Sequence, residues 1–383
     1  MSTTVGPPGQ VPVEAAEGPR RPSAPQTEAA GRDALVERLF GACIGALDLL
    51  HVYVGDHLGL YQALAEGHAT PGELARRCDI DQRYAREWLE QQAVAGILGA
   101  DDATDADQRR FSLPPGHAEV LLDGDSLSFL APIASGVVSL AQTLPLVLRA
   151  FRSGGGVSFD AFGQDIRHFI SRINRPMFLN LLASDWFPKV PGLAERLGAD
   201  PPARVADVGC GTGWSSIAIA AGFPNCKVVG LDLDEASIAE ARVNAAASGV
   251  EDRVSFDVRD AADPALAGRF DLVCAFETIH DMCDPVGALH AMRSLRTDGG
   301  TVLVADERVA DSFTLDADDV ERFQFGWSAL HCLPTALTAP PAAGTGTIMR
   351  APKLREYALA AGFDDVEVLP IEHDFWRFYW LVT

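Results

Sequence analysis

The densest chemical signal in the chain is Val205-Ala206-Asp207-Val208-Gly209-Cys210-Gly211-Thr212-Gly213. An apolar run that ends in three glycines reads as a strand turning tightly into a helix, where bare backbone lets a ligand approach closely. A dinucleotide fingerprint requires GxGxxG, but its last place is Trp214 and Gly213 stands one residue early. A P-loop is excluded because no Gly-Lys-Ser/Thr follows. Asp207 puts a carboxylate where phosphate sites avoid one, which suits a cationic or amino-bearing ligand. Asp232 closes the second strand, where an acid accepts both ribose hydroxyls. Asp260 follows the third, in Val258-Arg259-Asp260-Ala261, placed to accept from an exocyclic adenine amine. A glycine turn without a ligand is the alternative reading, and three features in this order argue against it.

A second group follows the fourth strand, Ala275-Phe276-Glu277-Thr278-Ile279-His280-Asp281. Ligands of open α/β sheets lie outside the carboxyl ends of the strands, so this segment is expected to face the pocket. An unperturbed histidine titrates near ~6.5, is mostly neutral at pH 7 and can take a hydroxyl or enol proton. Glu307, in Ala305-Asp306-Glu307-Arg308 after the fifth strand, is expected to orient the imidazole or stabilise its charged form. Pocket lining without proton transfer and a purely structural role are the other readings of His280.

With these motifs in order, residues 203–307 resemble the class I S-adenosylmethionine-dependent methyltransferases, whose DxGxGxG loop, acidic second-strand end and acid after the third strand are all present. His280-Asp281-Met282-Cys283-Asp284 is similar to the His-Asp pair and short polar turn of small-molecule O-methyltransferases that carry an N-terminal winged-helix dimerisation domain. The likeness extends over about 33–383, nearest to a bacterial branch. It implies S-adenosylmethionine as cofactor, held by Asp207, Gly209, Gly211, Gly213, Asp232, Leu233, Asp260, Ala261 and Phe276. It implies His280 as general base, with Asp281 and Glu307 assisting. The acceptor implied is a small, aromatic or polyketide-like molecule of secondary metabolism, methylated on oxygen. The second acid that flanks the base in the plant type, expected near 344–350, is missing, since that stretch reads Gly-Thr-Gly-Thr-Ile-Met-Arg. Carbon or nitrogen methylation, and a methyltransferase fold doing non-methylating chemistry, stay open as alternatives.

These residues need elements to hold them. Strands are expected at 204–208, 227–232, 254–258, 270–276 and 300–305, with helices between them, which is the pattern of right-handed βαβ units in a doubly wound, Rossmann-like α/β sheet. A helix at 352–361 and strands at 366–370 and 375–382 suggest a closing antiparallel hairpin. Residues 191–383 are read as the catalytic domain, with an insert at about 311–347 capping the pocket. Trp327 and His331 in the insert, and Phe178 and Trp186 in the helix leading into the domain, are the candidate substrate walls. Core packing is the alternative for each. A metal set of His280, Asp281 and His331 obeys no spacing rule, and no metal is expected.

Before the catalytic domain, residues 33–190 are read as mostly helical. A helix is expected over 33–64. Thr70-Pro71-Gly72-Glu73 reads as an N-cap, a first-turn proline and the closing acid of a capping box. A helix at 82–94 and two short strands around 96–98 and 110–113 complete a winged helix. Its would-be recognition helix matches Arg83 and Arg86 with Glu87 and Glu90, and the chain carries 31 basic against 53 acidic residues, a net charge of −22. Such a charge repels phosphate backbones, so homodimerisation is preferred to DNA regulation. The uncharged run 129–148 is interrupted by Pro132 and Pro145 and is read as a buried helix or hairpin, not a membrane span. Seven scattered cysteines form no CxxC pair and fit a reducing cytoplasm. Residues 1–32, rich in Pro and Gly without an apolar core, are read as a disordered leader and not a secretory signal.

Overall fold

The computed structural model describes residues 27–383. The leader call lies outside the described residues as far as 26 and is corrected beyond them. Thr27 caps a helix that opens at Glu28, its hydroxyl accepting from the Ala30 N–H at 3.3 Å. The described chain forms two compact units, one of residues 27–139 with His168–Pro176, the other of Leu140–Arg167 with Met177–Thr383. Where one boundary near 190 was expected, the units interleave.

In the first unit, α1 (Glu28–His57) and α2 (Leu60–Ala65) replace the single helix expected over 33–64, because Gly59 at φ 67° breaks the ladder. α3 (Pro71–Cys78) opens on the anticipated capping box: the Glu73 N–H donates to the Thr70 hydroxyl and the Thr70 N–H to the Glu73 carboxylate. α4 (Gln82–Val94) is capped by Asp81, and β1 (Gly99–Ala100) pairs antiparallel with β2 (Phe111–Ser112) as the wing, followed by α5 (Pro115–Leu122). Leu60, Tyr61, Leu74, Trp88, Leu89 and Phe111 form the core of this winged helix. Among the described residues nothing covers one side of α1: Leu35, Leu39, Phe40 and Leu47 are 51%, 59%, 68% and 51% exposed.

α6 (Ile133–Ser153) is a single helix, so of the two readings of 129–148 the helix holds and the hairpin does not. Pro132 precedes this single helix, and Pro145 sits inside it. One proline removes one hydrogen bond and bends a helix without ending it. By length and composition α6 is apolar enough to cross a membrane, and 39% of its apolar window is buried. α7 (Gly163–Met177) and α8 (Leu193–Gly198) follow, with a π-helical stretch at Phe178–Trp186 between them.

The second unit holds a seven-stranded sheet of order β5-β4-β3-β6-β7-β9-β8. β3 (Arg204–Val208), β4 (Lys227–Asp232), β5 (Val254–Val258), β6 (Phe270–Phe276) and β7 (Arg296–Glu307) run parallel. Between them lie α9 (Trp214–Gly222), α10 (Glu235–Ala247) and α11 (Pro285–Leu295); α12 (Asp319–Trp327), a π turn at Ser328–Cys332 and α13 (Leu333–Thr335) form the insert, and α14 (Ala351–Ala360) follows. β8 (Asp365–Val368) and β9 (Trp376–Val382) close the sheet antiparallel, as expected. Near-continuous apolar strands such as Leu272–Phe276 are buried because the sheet is covered on both faces. Strand order reverses between β3 and β6, and the crevice at such a switch point is where ligands bind.

One residue of this unit couples its stability to pH. His373 Nδ1 accepts from the Phe375 and Trp376 N–H groups at 3.2 and 3.1 Å. Burial, and then the Arg308 guanidinium, lowers its pKa to about 4. The unfolded chain takes up this proton near ~6.5 and the folded chain only near 4, so stability falls as pH drops through that window, by roughly 3 kcal/mol at most. The difference in unfolding free energy between wild type and His373→Gln, measured in urea, is expected to shrink from pH 7.5 to pH 4. A constant difference contradicts this assignment.

Candidate active site

The glycine loop lies at the carboxyl end of β3, beside the switch point. Gly209 and Gly213 are required by close packing as well as by φ values of 69° and 86°. A Cβ on Gly209 would lie 2.3 Å from Thr278 Oγ1, and one on Gly213 would lie 2.5 Å from the Phe256 ring. Gly211 differs: at φ 50° it faces no atom within 4 Å, and its N–H donates to Asp232 Oδ2 at 2.8 Å. The loop is therefore clamped at both ends and open in the middle.

Asp207 lies at the base of the loop. It is 1% exposed, and one carboxylate oxygen accepts from the Ser215 and Ser216 hydroxyls at 2.5 and 2.6 Å. Burial raises its pKa and those hydroxyls oppose the shift. Its work is to lock β3 to the first turn of α9. Asp232 accepts from Gly211 N–H and from Asp234 N–H at 2.9 Å, with burial, the leading cause, raising its pKa against these bonds. Leu233 beside it is 71% exposed, Asp260 is exposed and holds the Ala262 N–H at 2.8 Å, and Ala261 is half-buried. Phe276 is 6% exposed, with its ring 5.4 Å from that of Phe178.

His280 sits in a short turn (Ile279–Asp281) after β6, only 2% exposed. Its Nδ1 is 2.5 Å from Asp306 Oδ1 and its Nε2 3.3 Å from Asp281 Oδ1. Burial alone lowers the imidazole pKa, but Asp306 and Asp281 outweigh it and hold it well above the ordinary histidine value. The orienting contact expected of Glu307 is thus made by its neighbour Asp306. Adjacent strand residues point to opposite sides, so only one of the two can meet the ring. Glu307 instead accepts from Gln324 Nε2 at 2.9 Å. Burial, followed by the Glu277 carboxylate, pushes its pKa well above the ordinary carboxylate range. Glu277 enters this cluster through a left-handed backbone at φ 55°, a conformation that costs a non-glycine residue ~1–2 kcal/mol and tends to mark working sites.

The insert packs onto this group. The Gly346 N–H donates to the His280 carbonyl at 3.1 Å, so the stretch that lacks the second acid supports the histidine by backbone. His331 is 2% exposed, its ring 4.4 Å from that of Phe162 and edge-on to Trp327 at 6.4 Å. Its Nδ1 lies 3.3 Å from Cys332 Sγ, and its Nε2 has no hydrogen-bond partner. Burial lowers its pKa, which leaves the ring neutral. Trp327 is 8% exposed and packs on Phe323. For two of the proposed walls the packing favours the alternative reading. Trp186, 1% exposed, lies among Trp376, Phe378 and His373, and Phe178 packs between Trp186, Trp376 and Phe276, so both are core. Asp306, Glu277, Gln324 and Cys332 were missed. The Asp306-Glu307 doublet at a strand end was the available signal for Asp306.

A mostly parallel sheet with a clamped glycine loop at its switch point, an acid at the next strand end and a carboxylate-held histidine on the far side places a ligand crevice at the carboxyl ends of its strands. Residues 199–334 match the methyltransferase domain family, and residues 45–122 match the Rv2258c-like winged HTH domain. The chain thus carries a region similar to a winged-helix domain followed by one similar to a methyltransferase domain. It is 35% identical over 128 residues to the ubiquinone biosynthesis O-methyltransferase of Azotobacter vinelandii, covering 32% of this chain and 50% of that one. The chain spans about half the length of the curated relatives of this kind that it matches. Among solved structures, the mitomycin 7-O-methyltransferase MmcR aligns with a TM-score of 0.65 at 17% identity, over 93% of this chain and all of MmcR. PigF, solved with SAH, aligns at 0.66 and 18% identity, over 91% of this chain and 99% of PigF. At these identities the likeness is one of fold.

Proposed function

We propose that the chain transfers the methyl group of S-adenosylmethionine to a hydroxyl of a small aromatic or polyketide-like acceptor, with His280 as general base. The observation that carries this reading is the placement of the open Gly211 segment and Asp232 on one side of the switch point and the His280–Asp306 pair on the other. Asp232 receives the ribose hydroxyls, Leu233 and Ala261 flank the adenine and Asp260 takes its amine. The methyl group is displaced in line onto the acceptor oxygen. Asp306 and Asp281 favour the charged ring, so His280 first gives up its Nε2 proton; the freed Nε2 then takes the hydroxyl proton while Asp306 holds the ring by Nδ1. Similarity to a ubiquinone biosynthesis O-methyltransferase and to the mitomycin 7-O-methyltransferase supports an oxygen acceptor. Calorimetric titration with S-adenosylmethionine and S-adenosylhomocysteine is expected to show micromolar binding of both, lost in Asp232→Ala. Binding of neither to the wild type overturns the reading.

The exposed apolar side of α1 supports a homodimer built through the N-terminal domain. Light scattering is expected to give twice the 40.8 kDa chain mass, with Phe40→Asp reducing it to one chain; a monomeric wild type contradicts this. Nucleic acid is disfavoured as partner: the recess of about 580 Å³ between α4 and the wing is lined by Glu90, Asp101 and Asp102 against Arg109.

A further inference from the structure

We propose that His280, Asp281 and Cys332 form a binding site for one thiophilic divalent cation of the zinc type, and that the bound ion and a proton-accepting His280 exclude each other. The site stands on geometry alone; its consequence for catalysis rests on the methyl-transfer reading.

One ligand atom from each of the three residues lies within 4.8 Å of the other two. The His280 Nε2–Asp281 Oδ1 separation is 3.3 Å. Nitrogen and oxygen ligands at ~2.0–2.1 Å from a tetrahedral zinc are spaced about 3.3–3.4 Å apart, and sulfur at ~2.3 Å stands slightly further out. The observed edge therefore has the length a metal requires. A second observation points the same way: Asp281 Oδ1 is buried and, among the described residues, forms no hydrogen bond beyond its 3.3 Å ion-pair approach to His280 Nε2. A buried acceptor without a hydrogen bond is destabilising, and a cation at this point removes that cost. The third observation is the Asp306 carboxylate on His280 Nδ1, the arrangement that fixes metal-bound imidazoles from behind and aims Nε2 at the ion.

A nitrogen, oxygen and sulfur donor set selects zinc or cobalt over magnesium or calcium, and three protein ligands leave a fourth position for water. The Asp281 side chain, 24% exposed, is the way in. The hydrated ion sheds waters as it enters, Cys332 binds as thiolate and His280 through its Nε2 lone pair, and their protons pass to solvent; nothing is oxidised or reduced. Because His280 and Asp281 belong to the turn after β6 and Cys332 to the insert's π turn, the ion fastens the insert to the catalytic turn. The lone pair that accepts a proton is then occupied, so the ion acts as a reversible inhibitor.

The test uses the full chain, stripped with chelator and titrated with cobalt(II). One equivalent is expected to bind, with a thiolate-to-cobalt charge-transfer band in the near ultraviolet. Cys332→Ser is expected to abolish that band and weaken binding at least tenfold, while Cys283→Ser keeps both. No saturable uptake, or a band that survives in Cys332→Ser, overturns the proposal. Should Cys332→Ser fail to fold by circular dichroism, Asp281→Asn decides, with a tenfold weaker affinity expected and an unchanged one overturning it. Zinc is separately expected to suppress methyl transfer and chelator to restore it. Cobalt binding as described in a chain that methylates no acceptor leaves the metal site standing and removes the methyl-transfer reading.

Discussion

Replacing His280 with alanine is expected to lower kcat by about 10² to 10⁴, the usual contribution of a positioned proton acceptor. The affinity for S-adenosylmethionine should stay within a few-fold of wild type, because most of the proposed cofactor contacts follow β3, β4 and β5, and the last of them, Phe276, precedes the histidine by four residues. Asp306→Asn should lower kcat as well, since the amide no longer fixes the Nδ1–H tautomer that leaves Nε2 able to accept. Steady-state kinetics with a screened acceptor, together with calorimetric binding of the cofactor, separate the two effects. An unchanged kcat in His280→Ala shows that another group takes the proton. A parallel loss of cofactor binding shows that the residue is structural.

The second large effect is expected at Gly209. An alanine there must adopt φ 69° with its Cβ 2.3 Å from Thr278 Oγ1. The left-handed backbone costs ~1–2 kcal/mol and the overpacking ~1–3 kcal/mol, so about 3 kcal/mol falls on the loop, equivalent to roughly two orders of magnitude in cofactor affinity. Thr278→Gly in the same chain removes the clash and leaves the backbone cost, so the double variant should recover part of the loss. Wild-type affinity in Gly209→Ala shows that the turn is not rigid, and full recovery in the double variant shows that packing alone was at stake.

How far the sequence could be read depended on whether a local pattern or a tertiary contact decided the outcome. β3 to β6 lie where their apolar runs end in turn chemistry, because strand length and flanking glycines are local properties. The capping box at Thr70 was legible for the same reason. The Asp306-Glu307 doublet was not, since the apolar run of β7 does not reveal which of two adjacent acids turns toward the histidine. The serine partners of Asp207 were not legible, because a carboxylate ahead of a glycine loop looks the same whatever hydroxyls the following helix brings to it. Trp186 and Phe178 were ambiguous because one aromatic spacing serves a pocket wall and a core equally, and only the packing of β9 against them decides. Cys332 had no local signal at all; it meets His280 through the fold of the insert.

The π turns at Phe178–Trp186 and Ser328–Cys332 are each wider by one residue than an α-helical turn. In such segments, chain length determines which side chains face inward. The widened turn absorbs its extra residue, so removing a single residue ahead of His331 would restore α-helical winding with the chain on either side nearly in register, and only the side chains of the turn itself would be redistributed. Related chains that differ here by one residue would present a different inner surface at this turn while keeping the rest of the helix, so the lining of the site can change by insertion and deletion as well as by substitution.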